Sequence, residues 1–303
     1  MGFYQEVKTR LLIPNGNIAI CKCEPRQIVN KEVDNRSFRW LNHSYKDCFF
    51  ADPFILNVDD KTIEILVEEF QYKINKGIIV RLLIDLSSYT LIERTIVLEC
   101  ETHLSYPIIY RDKKDIYIYP ENNQSGSLYL YKYDQETKKA KLVDEIVKLP
   151  LNDSTLLFWR NKYWLFTTIT NREHNANLYV FNSLRPFCDY DLSKSILVKS
   201  NLCGSRPAGS FFAVDGSIYR PAQDCHKVYG GGIIINKLES LDDQNFQEEF
   251  VLAMEPQSNI YNIGIHHINF YNHWAVIDGY GYRFSLKYLL IRFFRKLSKV
   301  FRC

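Results

Sequence analysis

Runs of apolar and aromatic residues recur along this chain in groups of three, and the first run of each group ends in polar residues. Branched and aromatic side chains dominate these short runs, a pattern typical of buried strands. The polar ends are marked by Asp52, His103, Asp153, Arg206 and His266, which are 51, 50, 53 and 60 residues apart by subtraction. A period of about 50 residues with three or four strands per unit predicts a β-propeller, and five copies predict five blades.

A propeller also predicts that these polar ends share one site. The innermost strand of each blade points one end at the central channel, so the five first strands should converge on one funnel. The last group, which begins at Gly264, has only two clear strands. We expect the N-terminal segment to supply the missing strand, because closing the ring removes exposed strand edges. The expected propeller domain spans residues 1–282.

The fourth group contains a predicted hairpin with polar residues at its strand ends. An Asp215-Gly216 turn separates two apolar runs, and this dipeptide supplies the positive φ that a tight hairpin requires. Small residues and a Gly-Gly-Gly run accompany the polar and aromatic residues Arg206, Arg220, Gln223, Asp224 and Tyr229. Each polar residue alone is typical of a solvated or ion-paired strand end, whereas the whole set favours a polyol or phosphate site.

The composition supports an all-β body with a chemically different tail. The 303 residues include 21 Tyr and 19 Phe but 2 Met, an enrichment expected where side chains pack on pleated sheets. The formal net charge is +3, yet residues 283–303 hold seven Lys or Arg and no acid. By subtraction the remainder carries about −4, which argues against nucleic acid as a partner, because a phosphate-tracking surface needs a basic stripe.

Residues 283–303 predict a C-terminal basic amphipathic helix. Apolar residues recur there at helical spacing, with cations on the other face: Leu286, Leu289, Leu290, Phe293, Leu297, Val300 and Phe301. The segment is too short and too charged to span a bilayer, so we expect it to lie on an anionic membrane surface. The alternative is a helix packed on the outside of the propeller.

Localisation and metal binding can also be predicted from the chain. Eight cysteines occur without a C-x-x-C pair or a His at zinc-finger spacing, which indicates reduced, mostly buried thiols. The N-terminus has no apolar core of signal-peptide length, so we expect a cytoplasmic protein, peripheral on the inner face of the membrane. Asp189 and Asp191 form an Asp-x-Asp pair in a loop away from the strand tips. We therefore treat this pair as coincidental and assign no metal ligands, and the sequence gives no firm prediction of a cofactor.

Several short motifs resemble the N-terminal domain of glucosamine inositolphosphorylceramide transferases. They cover roughly residues 45–280, and the His-Leu-Ser-Tyr-Pro and Gln-Asp-Cys blocks are the most specific. The motifs are Ala51-Asp-Pro-Phe, Glu68-Glu-Phe, His103-Leu-Ser-Tyr-Pro, Tyr119-Pro-Glu, Asp153-Ser, Tyr163-Trp-Leu-Phe, Arg206-Pro-Ala-Gly, Arg220-Pro-Ala-Gln-Asp-Cys and Tyr229-Gly. The resemblance implies a role in surface-polysaccharide biosynthesis, where related stand-alone bacterial proteins belong.

More distantly, the chain is similar to the five-bladed propellers of glycoside hydrolase family 43. Those enzymes place a base Asp in blade one within an Asp-Pro motif, which Asp52-Pro53 matches. The chain departs from them in blade two, where their pKa-setting Asp is expected but His103 and Ser105 stand. No Glu is obvious on the tip of blade four. These departures argue against simple hydrolysis.

The carboxylates of the predicted funnel suit glycosyl transfer. This chemistry needs a base for the incoming hydroxyl, stabilisation of an oxocarbenium-like centre and help for the leaving group. Asp52 is the candidate base, although an Asp before a Pro is also common in turns. Glu69, Glu121 and Asp153 are its candidate partners, and a raised pKa would make one of them an acid. Glu69 is preferred to Glu68, which strand alternation points the other way.

Cations near the funnel indicate a phosphate leaving group. If the donor is a nucleotide sugar, cations stabilise the departing phosphate better than a carboxylic acid does, and Arg binds phosphate in a bidentate fashion. The candidates are Arg206, Arg220, His103 and His266. Substrate contacts are also expected from Ser105, Tyr106, Gln223, Asp224, Tyr229 and His267.

We therefore predict a glycosyltransferase of surface polysaccharide or glycolipid biosynthesis that uses a nucleotide sugar and a glycan or lipid-linked acceptor. Two alternatives stay open: a glycoside hydrolase acting on cytoplasmic or lipid-linked saccharide, and a glycan-binding module without activity. Substitution of Asp52 separates the module from both enzymes, because binding would largely survive while turnover would not.

Overall fold

The computed structural model describes residues 12–191 and 195–300, with their side chains as far as residue 293. Its strands form five sheets whose neighbouring strands run antiparallel. The predicted five-bladed β-propeller is thereby confirmed. Apolar clusters fill the spaces between neighbouring sheets, as expected for sheets that are buried on both faces.

The blades follow one another along the chain, apart from two strands at its start. The chain begins with β1 (Ile13–Cys21), helix α1 (Pro25–Val29) and β2 (Arg39–Trp40). Blade one contains β3 (Cys48–Val58), β4 (Thr62–Gln71), β5 (Lys76–Asp85) and β6 (Thr90–Leu98). Blade two contains β7 (Ile109–Asp112), β8 (Asp115–Ile118), β9 (Leu128–Asp134) and β10 (Lys139–Val147).

The remaining blades have the same order, from the inner strand to the outer one. Blade three contains β11 (Leu151–Trp159), β12 (Lys162–Ile169), β13 (Asn177–Ser183) and β14 (Ile196–Ser200). Blade four contains β15 (Cys203–Pro207), β16 (Phe212–Val214), β17 (Ser217–Asp224), β18 (Gly232–Leu241) and β19 (Phe246–Met254). Blade five is built on β20 (Ile268–Tyr271) and β21 (Trp274–Arg283).

The N-terminal segment closes the ring, as predicted. Strand β1 pairs with β21 in an antiparallel ladder that runs from Ile13 opposite Arg283 to Cys21 opposite Ala275. Strand β2 then pairs with β1 and forms the outer edge of blade five. The two ends of the propeller are thus joined in one sheet, which leaves no open gap between the first and last blades for edge pairing.

The two faces of β4 pack on different neighbours. Ile65 and Val67 lie in the cluster that also contains Ile18 and Ile20 of blade five. Leu66 lies in the opposite cluster, with residues of blade two. Because side chains alternate along a strand, Glu69 shares the blade-five face with Val67, and Glu68 shares the blade-two face with Leu66.

Three inner segments carry a non-glycine residue with left-handed backbone angles. These are Asp52 (φ 51°), Tyr106 (φ 47°) and Asp153 (φ 46°). The ladders of β3 and β11 are interrupted at the first and third of these positions. Such bulges end regular pairing and redirect side chains and amides, and the surroundings must hold the strained backbone in place. The strained backbone residues therefore lie where the inner strands meet the channel.

The hairpin predicted in blade four is also present. Asp215 (φ 50°) and Gly216 (φ 77°) both have positive φ. They join β16 to β17, with Val214 opposite Ser217. Two central residues with positive φ match the right-handed twist of the flanking strands, which explains why the Asp-Gly dipeptide forms this turn.

Helix α2 (Leu286–Val300) follows β21 and packs against the rim of the propeller. Tyr288 is buried, and Leu289 and Ile291 are partly buried against Ile13 and Tyr72. One face of α2 thus packs on the outside of the propeller, as the alternative prediction held. Membrane contact by the other face remains a prediction. Leu297 and Val300 lie beyond the described side chains, and Phe301 lies outside the described residues. Within the described part of the chain, no helix has both the length and the apolar character needed to cross a bilayer.

Candidate active site in the central funnel

A cavity of about 340 Å³ opens where blades one, two, four and five meet at the funnel. This cavity is lined by four of the five residues that mark the sequence period. The fifth, Asp153, lies behind the lining and contacts Arg206. Ser105 and Tyr229 also belong to the lining. Charged and imidazole side chains in the lining are Asp52, Glu68, His103, Glu121, Arg206, His266 and Asp278. Carboxylates thus dominate the polar surface of the cavity.

An imidazole lies between two carboxylates on one wall. His266 Nδ1 is 2.8 Å from Asp278 Oδ2, and its Nε2 is 3.5 Å from Asp52 Oδ1. Burial opposes a positive charge on His266, but Asp278 and Asp52 outweigh it and raise its pKa to about 10. His266 is therefore an imidazolium at neutral pH, and it supplies positive charge to this wall of the cavity.

The His266 cation, together with backbone amides, holds Asp278 in its charged form. The amides of His266 and His267 donate to Asp278 Oδ1 at 2.9 and 3.0 Å, and that of Asp52 donates to Oδ2 at 3.1 Å. Burial works against the charge on Asp278, but the interaction with His266 prevails and keeps its pKa below the ordinary value. Sequence reasoning did not assign a role to Asp278. Its signal was a carboxylate within the apolar strand Trp274–Arg283.

Asp52 titrates in the neutral range. Its carboxylate is buried and accepts a hydrogen bond from the amide of Tyr106 at 3.0 Å. Burial raises the pKa of Asp52 to about 7; the His266 cation opposes the rise, and Asp153 and Asp278 add to it. A carboxyl group with such a pKa can release and accept a proton near neutral pH.

The structure exchanges the expected roles of Glu68 and Glu69. Glu68 lines the cavity, whereas Glu69 accepts hydrogen bonds from Arg94 and Gln71 on the other face of the sheet. The prediction that Glu69 points into the funnel is therefore wrong. Strand β4 continues to Gln71, so Glu69 does not end it, and the face directed at the funnel is the one that packs on blade two.

Glu68 faces a neutral imidazole. The amide of Gly77 donates to His103 Nδ1 at 2.9 Å, so Nε2 carries the ring proton, and it lies 3.3 Å from Glu68 Oε1. Burial, and then the Lys76 charge, lower the pKa of His103. Burial and then the Asp52 charge raise the pKa of Glu68 well above its ordinary value. The protonated form of Glu68 is thus favoured beside the Asp52 charge.

A second charged cluster surrounds Arg206. Its Nε lies 2.5 Å from Asp153 Oδ2, and its Nη2 lies 3.5 Å from Glu121 Oε2. Asp153 also accepts a hydrogen bond from Gln223 at 2.9 Å. Burial and the neighbouring Asp153 raise the pKa of Glu121, and Arg206 opposes that rise. The guanidinium is also 5.1 Å from the ring centre of Tyr229, which stands half-exposed at the cavity rim.

The family model of the glucosamine inositolphosphorylceramide transferase 1 N-terminal domain matches residues 37–271 of this chain. The chain belongs to this family. Among its relatives, glucosamine inositolphosphorylceramide transferase 1 of Oryza sativa subsp. japonica is 31% identical over 211 residues, which are 67% of this chain and 28% of that protein. The Arabidopsis thaliana protein of the same name is 34% identical over 158 residues, 50% of this chain and 21% of that protein. The chain spans about a quarter of the length of these relatives.

Solved structures support the same fold. The α-L-arabinofuranosidase PaAbf62A of Podospora anserina superposes with a TM-score of 0.54 at 12% identity, over 72% of this chain and 76% of that one. The α-L-arabinanase of Cellvibrio cellulosa gives a TM-score of 0.50 at 16% identity, over 75% and 82% of the two chains. At these identities the likeness concerns the propeller architecture alone.

Two residues predicted to bind substrate lie outside the cavity lining of this family member. Arg220 is buried within blade four, where its Nε and Nη2 donate to Glu248 at 2.8 and 2.7 Å and Nη2 donates to the Gly204 carbonyl at 2.6 Å. Asp224 accepts hydrogen bonds from the amide of His226 and the thiol of Cys203. Both predictions are corrected: these polar groups stabilise blade four, because local strand partners satisfy them.

Three other predicted contacts lie behind the lining as support. The Tyr106 hydroxyl accepts from the amide of Gly209 at 2.8 Å and lies 2.8 Å from Thr155 Oγ1. His267 is fully buried against the rings of Phe54 and Tyr106, and burial lowers its pKa to about 4. Gln223 orients Asp153. These residues position the lining, and their burial leaves no open ring face for a sugar.

The donor atoms of Asp52, His266 and Asp278 lie within 4.8 Å of one another, which is a spacing that could hold a metal ion among the described residues. His266 already bridges the two carboxylates as a cation. A metal ion would have to displace its proton, so the donor set suits an imidazolium better at neutral pH. Asp189 of the Asp-x-Asp pair forms an ion pair with Arg185 on the surface.

Proposed function

We propose that this protein catalyses glycosyl transfer in its central funnel, during assembly of a surface glycan or glycolipid. The observation that carries the proposal is the pair Asp52 and Glu68, two neighbouring carboxyl groups whose surroundings differ. Asp52 has a pKa of about 7 beside the His266 cation, and burial together with the Asp52 charge raises the pKa of Glu68 well above its ordinary value. Carboxyl pairs whose surroundings shift their pKa values are the usual means of acid and base catalysis at a sugar carbon.

Family membership supports a transferase as the reaction class. The relatives are named as transferases, with glucosamine and inositolphosphorylceramide in their names. By analogy with these names, this chain is proposed to use a sugar donor and a lipid-linked or glycan acceptor. The relatives are longer than this chain, so the proposal rests on the funnel geometry as much as on the names.

The lining residues suggest how transfer would proceed. Asp52 takes the proton of the acceptor hydroxyl as its oxygen bonds to the anomeric carbon. The bond from that carbon to the donor phosphate breaks, and the phosphate keeps the electron pair. Arg206 and His266 stabilise the charge that develops, and Glu68 can donate its proton to the departing oxygen.

The charge balance of the cavity favours glycoside hydrolysis as a second candidate. Arg220 lies elsewhere and His103 is neutral, so Arg206 and His266 are the cations among the described residues of the lining. Each is already flanked by two carboxylates. A diphosphate would enter an acidic site, whereas a neutral saccharide would not meet this repulsion.

Ligand protection against thermal unfolding tests the proposal. A ligand that binds only the folded state raises the unfolding temperature. We expect one nucleotide sugar from a panel to protect and to be turned over when an acceptor is added. Protection by free oligosaccharides, with hydrolysis and no response to any nucleotide sugar, would favour the second candidate. Protection without turnover of any substrate would identify a binding module.

Adjacent glutamates provide a matched pair of variants. Glu68→Gln should lower turnover by roughly a hundredfold or more, because it removes the proton donor of the cavity. Glu69→Gln should leave turnover nearly unchanged while weakening the ion pair with Arg94. Initial rates with the substrate found in the panel measure both effects. Equal loss in the two variants would contradict the assignment of Glu68.

A further inference from the structure

Helix α2 presents an apolar face to solvent. Phe284, just before the helix, and Leu286, Leu290 and Phe293 within it are 66, 62, 49 and 57% exposed. The three helical residues follow one another at spacings of four and three, so they lie on one side of α2. Four large apolar side chains exposed together form a patch, and such patches mark interaction surfaces. We name these four residues the outer helix face.

The packing of α2 determines which side faces outward. Tyr288 is buried against the ring of Tyr72, with the ring centres 4.9 Å apart. Arg292 donates to the carbonyl of Leu12 at 3.5 Å. Because Tyr288 is two positions from both Leu286 and Leu290, it lies on the opposite side of the helix from them. The inner contacts thus turn Tyr288 toward the propeller and Leu286 and Leu290 away from it.

Helix α2, which carries the outer helix face, lies close to the mouth of the cavity. Phe49 lines the cavity and also packs in the cluster that holds Tyr288. Tyr282 lines the cavity and is exposed, two residues before Phe284. A flat surface that contacted the outer helix face would therefore also lie beside the cavity mouth.

The charge of the segment indicates the chemistry of that surface. Residues 283–303 contain seven Lys or Arg and no acid, whereas the rest of the chain carries about −4 by subtraction. An anionic bilayer attracts the segment and repels the body, so it selects one orientation of the molecule. Apolar side chains beside cations are the combination that binds at the lipid headgroup level.

We propose that the outer helix face docks on an anionic membrane and holds the cavity mouth against the lipid headgroups. The docking rests on α2 and its charges alone. Its consequence for catalysis, that the acceptor is a lipid whose headgroup enters the funnel from the bilayer, rests on the proposed glycosyl transfer.

Vesicle binding by the full chain tests the docking surface. The probes are vesicles of phosphatidylcholine alone and vesicles with about a third phosphatidylserine. The variant is Leu290→Gln/Phe293→Gln, and the control is Leu142→Gln/Phe250→Gln, which removes two exposed apolar side chains from the outer strands β10 and β19. Thermal unfolding verifies that both double variants are folded.

We expect the parent chain to sediment with the anionic vesicles, less so in about 0.5 M salt because charge attraction is screened. The helix variant should bind at least roughly tenfold more weakly, since two side chains no longer enter the membrane, and the control variant should bind like the parent. Absence of binding to anionic vesicles, or equal binding by the helix variant, would overturn the proposal. So would a dimer in solution that the helix variant dissociates, since a second copy would then cover this face.

A separate measurement, fluorescence quenching, tests whether the cavity mouth lies against the membrane. In Tyr282→Trp, the introduced indole should be quenched by brominated lipid, whereas in Leu142→Trp it should not. Vesicle binding without quenching at position 282 would overturn the placement of the mouth. Neither measurement depends on turnover. Failure of the proposed transferase activity would therefore not refute the docking surface, and failure of docking would not refute the transferase activity.

Discussion

Asp52→Asn is expected to lower turnover by roughly a thousandfold while substrate binding is retained, because an amide cannot accept the proton of the attacking hydroxyl. The parent rate should also depend on pH. A base must be ionised, and the pKa of Asp52 is about 7. The rate should therefore fall about tenfold per pH unit below that value, and above it the rate should stop rising until Glu68 loses the proton that it donates. In the variant, the remaining rate should lack this inflection.

Initial rates across pH and ligand protection against thermal unfolding measure the two effects separately. Asp59→Asn serves as the control, because Asp59 is an exposed turn residue of the same blade that accepts hydrogen bonds from the amides of Lys61 and Thr62. Turnover that survives Asp52→Asn with its pH inflection intact would refute the role of Asp52. Loss of binding together with turnover would mean that Asp52 holds substrate instead of activating it.

Arg220→Met is expected to lower the free energy of unfolding by about 3 kcal/mol, because it removes a buried guanidinium from Glu248 and leaves that carboxylate with Lys199 as its remaining ion-pair partner. Burial opposes the charge on Glu248, yet Arg220 and Lys199 outweigh it and keep its pKa below the ordinary value. The folded state therefore favours ionised Glu248. This contribution is present above the ordinary pKa of a glutamate and is lost as the pH falls below it.

Urea unfolding of folded variants measures this loss, and the double variant Arg220→Met/Glu248→Leu should recover part of it by removing the buried carboxylate that has lost its guanidinium partner. Arg26→Met is the control, since its ion pair with Asp215 is exposed and should contribute little. Ligand protection should persist in Arg220→Met. Full stability of that variant would refute the stabilising role of Arg220, and a folded variant that no longer responds to ligand would show that Arg220 acts in the funnel.

The blade count was accessible from sequence because each blade is a local unit. Strands that follow one another along the chain pair with each other, so the period of about 50 residues survives folding. Closure by the N-terminal segment could be predicted for a related reason. The last group lacked a strand, and an open edge is unfavourable whichever residues form it.

Side-chain direction could not be obtained in the same way. Glu68 and Glu69 are neighbours on one strand, and which of them reaches the funnel depends on which face of β4 packs on blade two. Asp278 was overlooked because its one local signal, an acid within an apolar strand, does not show which groups that acid will contact. Its role arises from the amides of His266, His267 and Asp52, which reach it from two different blades.

The tripeptide Arg-Pro-Ala occurs twice in blade four. It shows what the local sequence determines and what only the tertiary structure decides. Sequence alone placed both arginines in strands of one hairpin and predicted the turn between them. In the folded chain, Arg206 meets Asp153 and Glu121 of other blades, whereas Arg220 meets Glu248 of its own blade. Hydrogen bonding along the backbone depends on local pattern, but the partner of a buried charge depends on which distant segment supplies the opposite charge. The packing of the blades determines this partner. It therefore decides that Arg206 belongs to the funnel and that Arg220 stabilises a sheet.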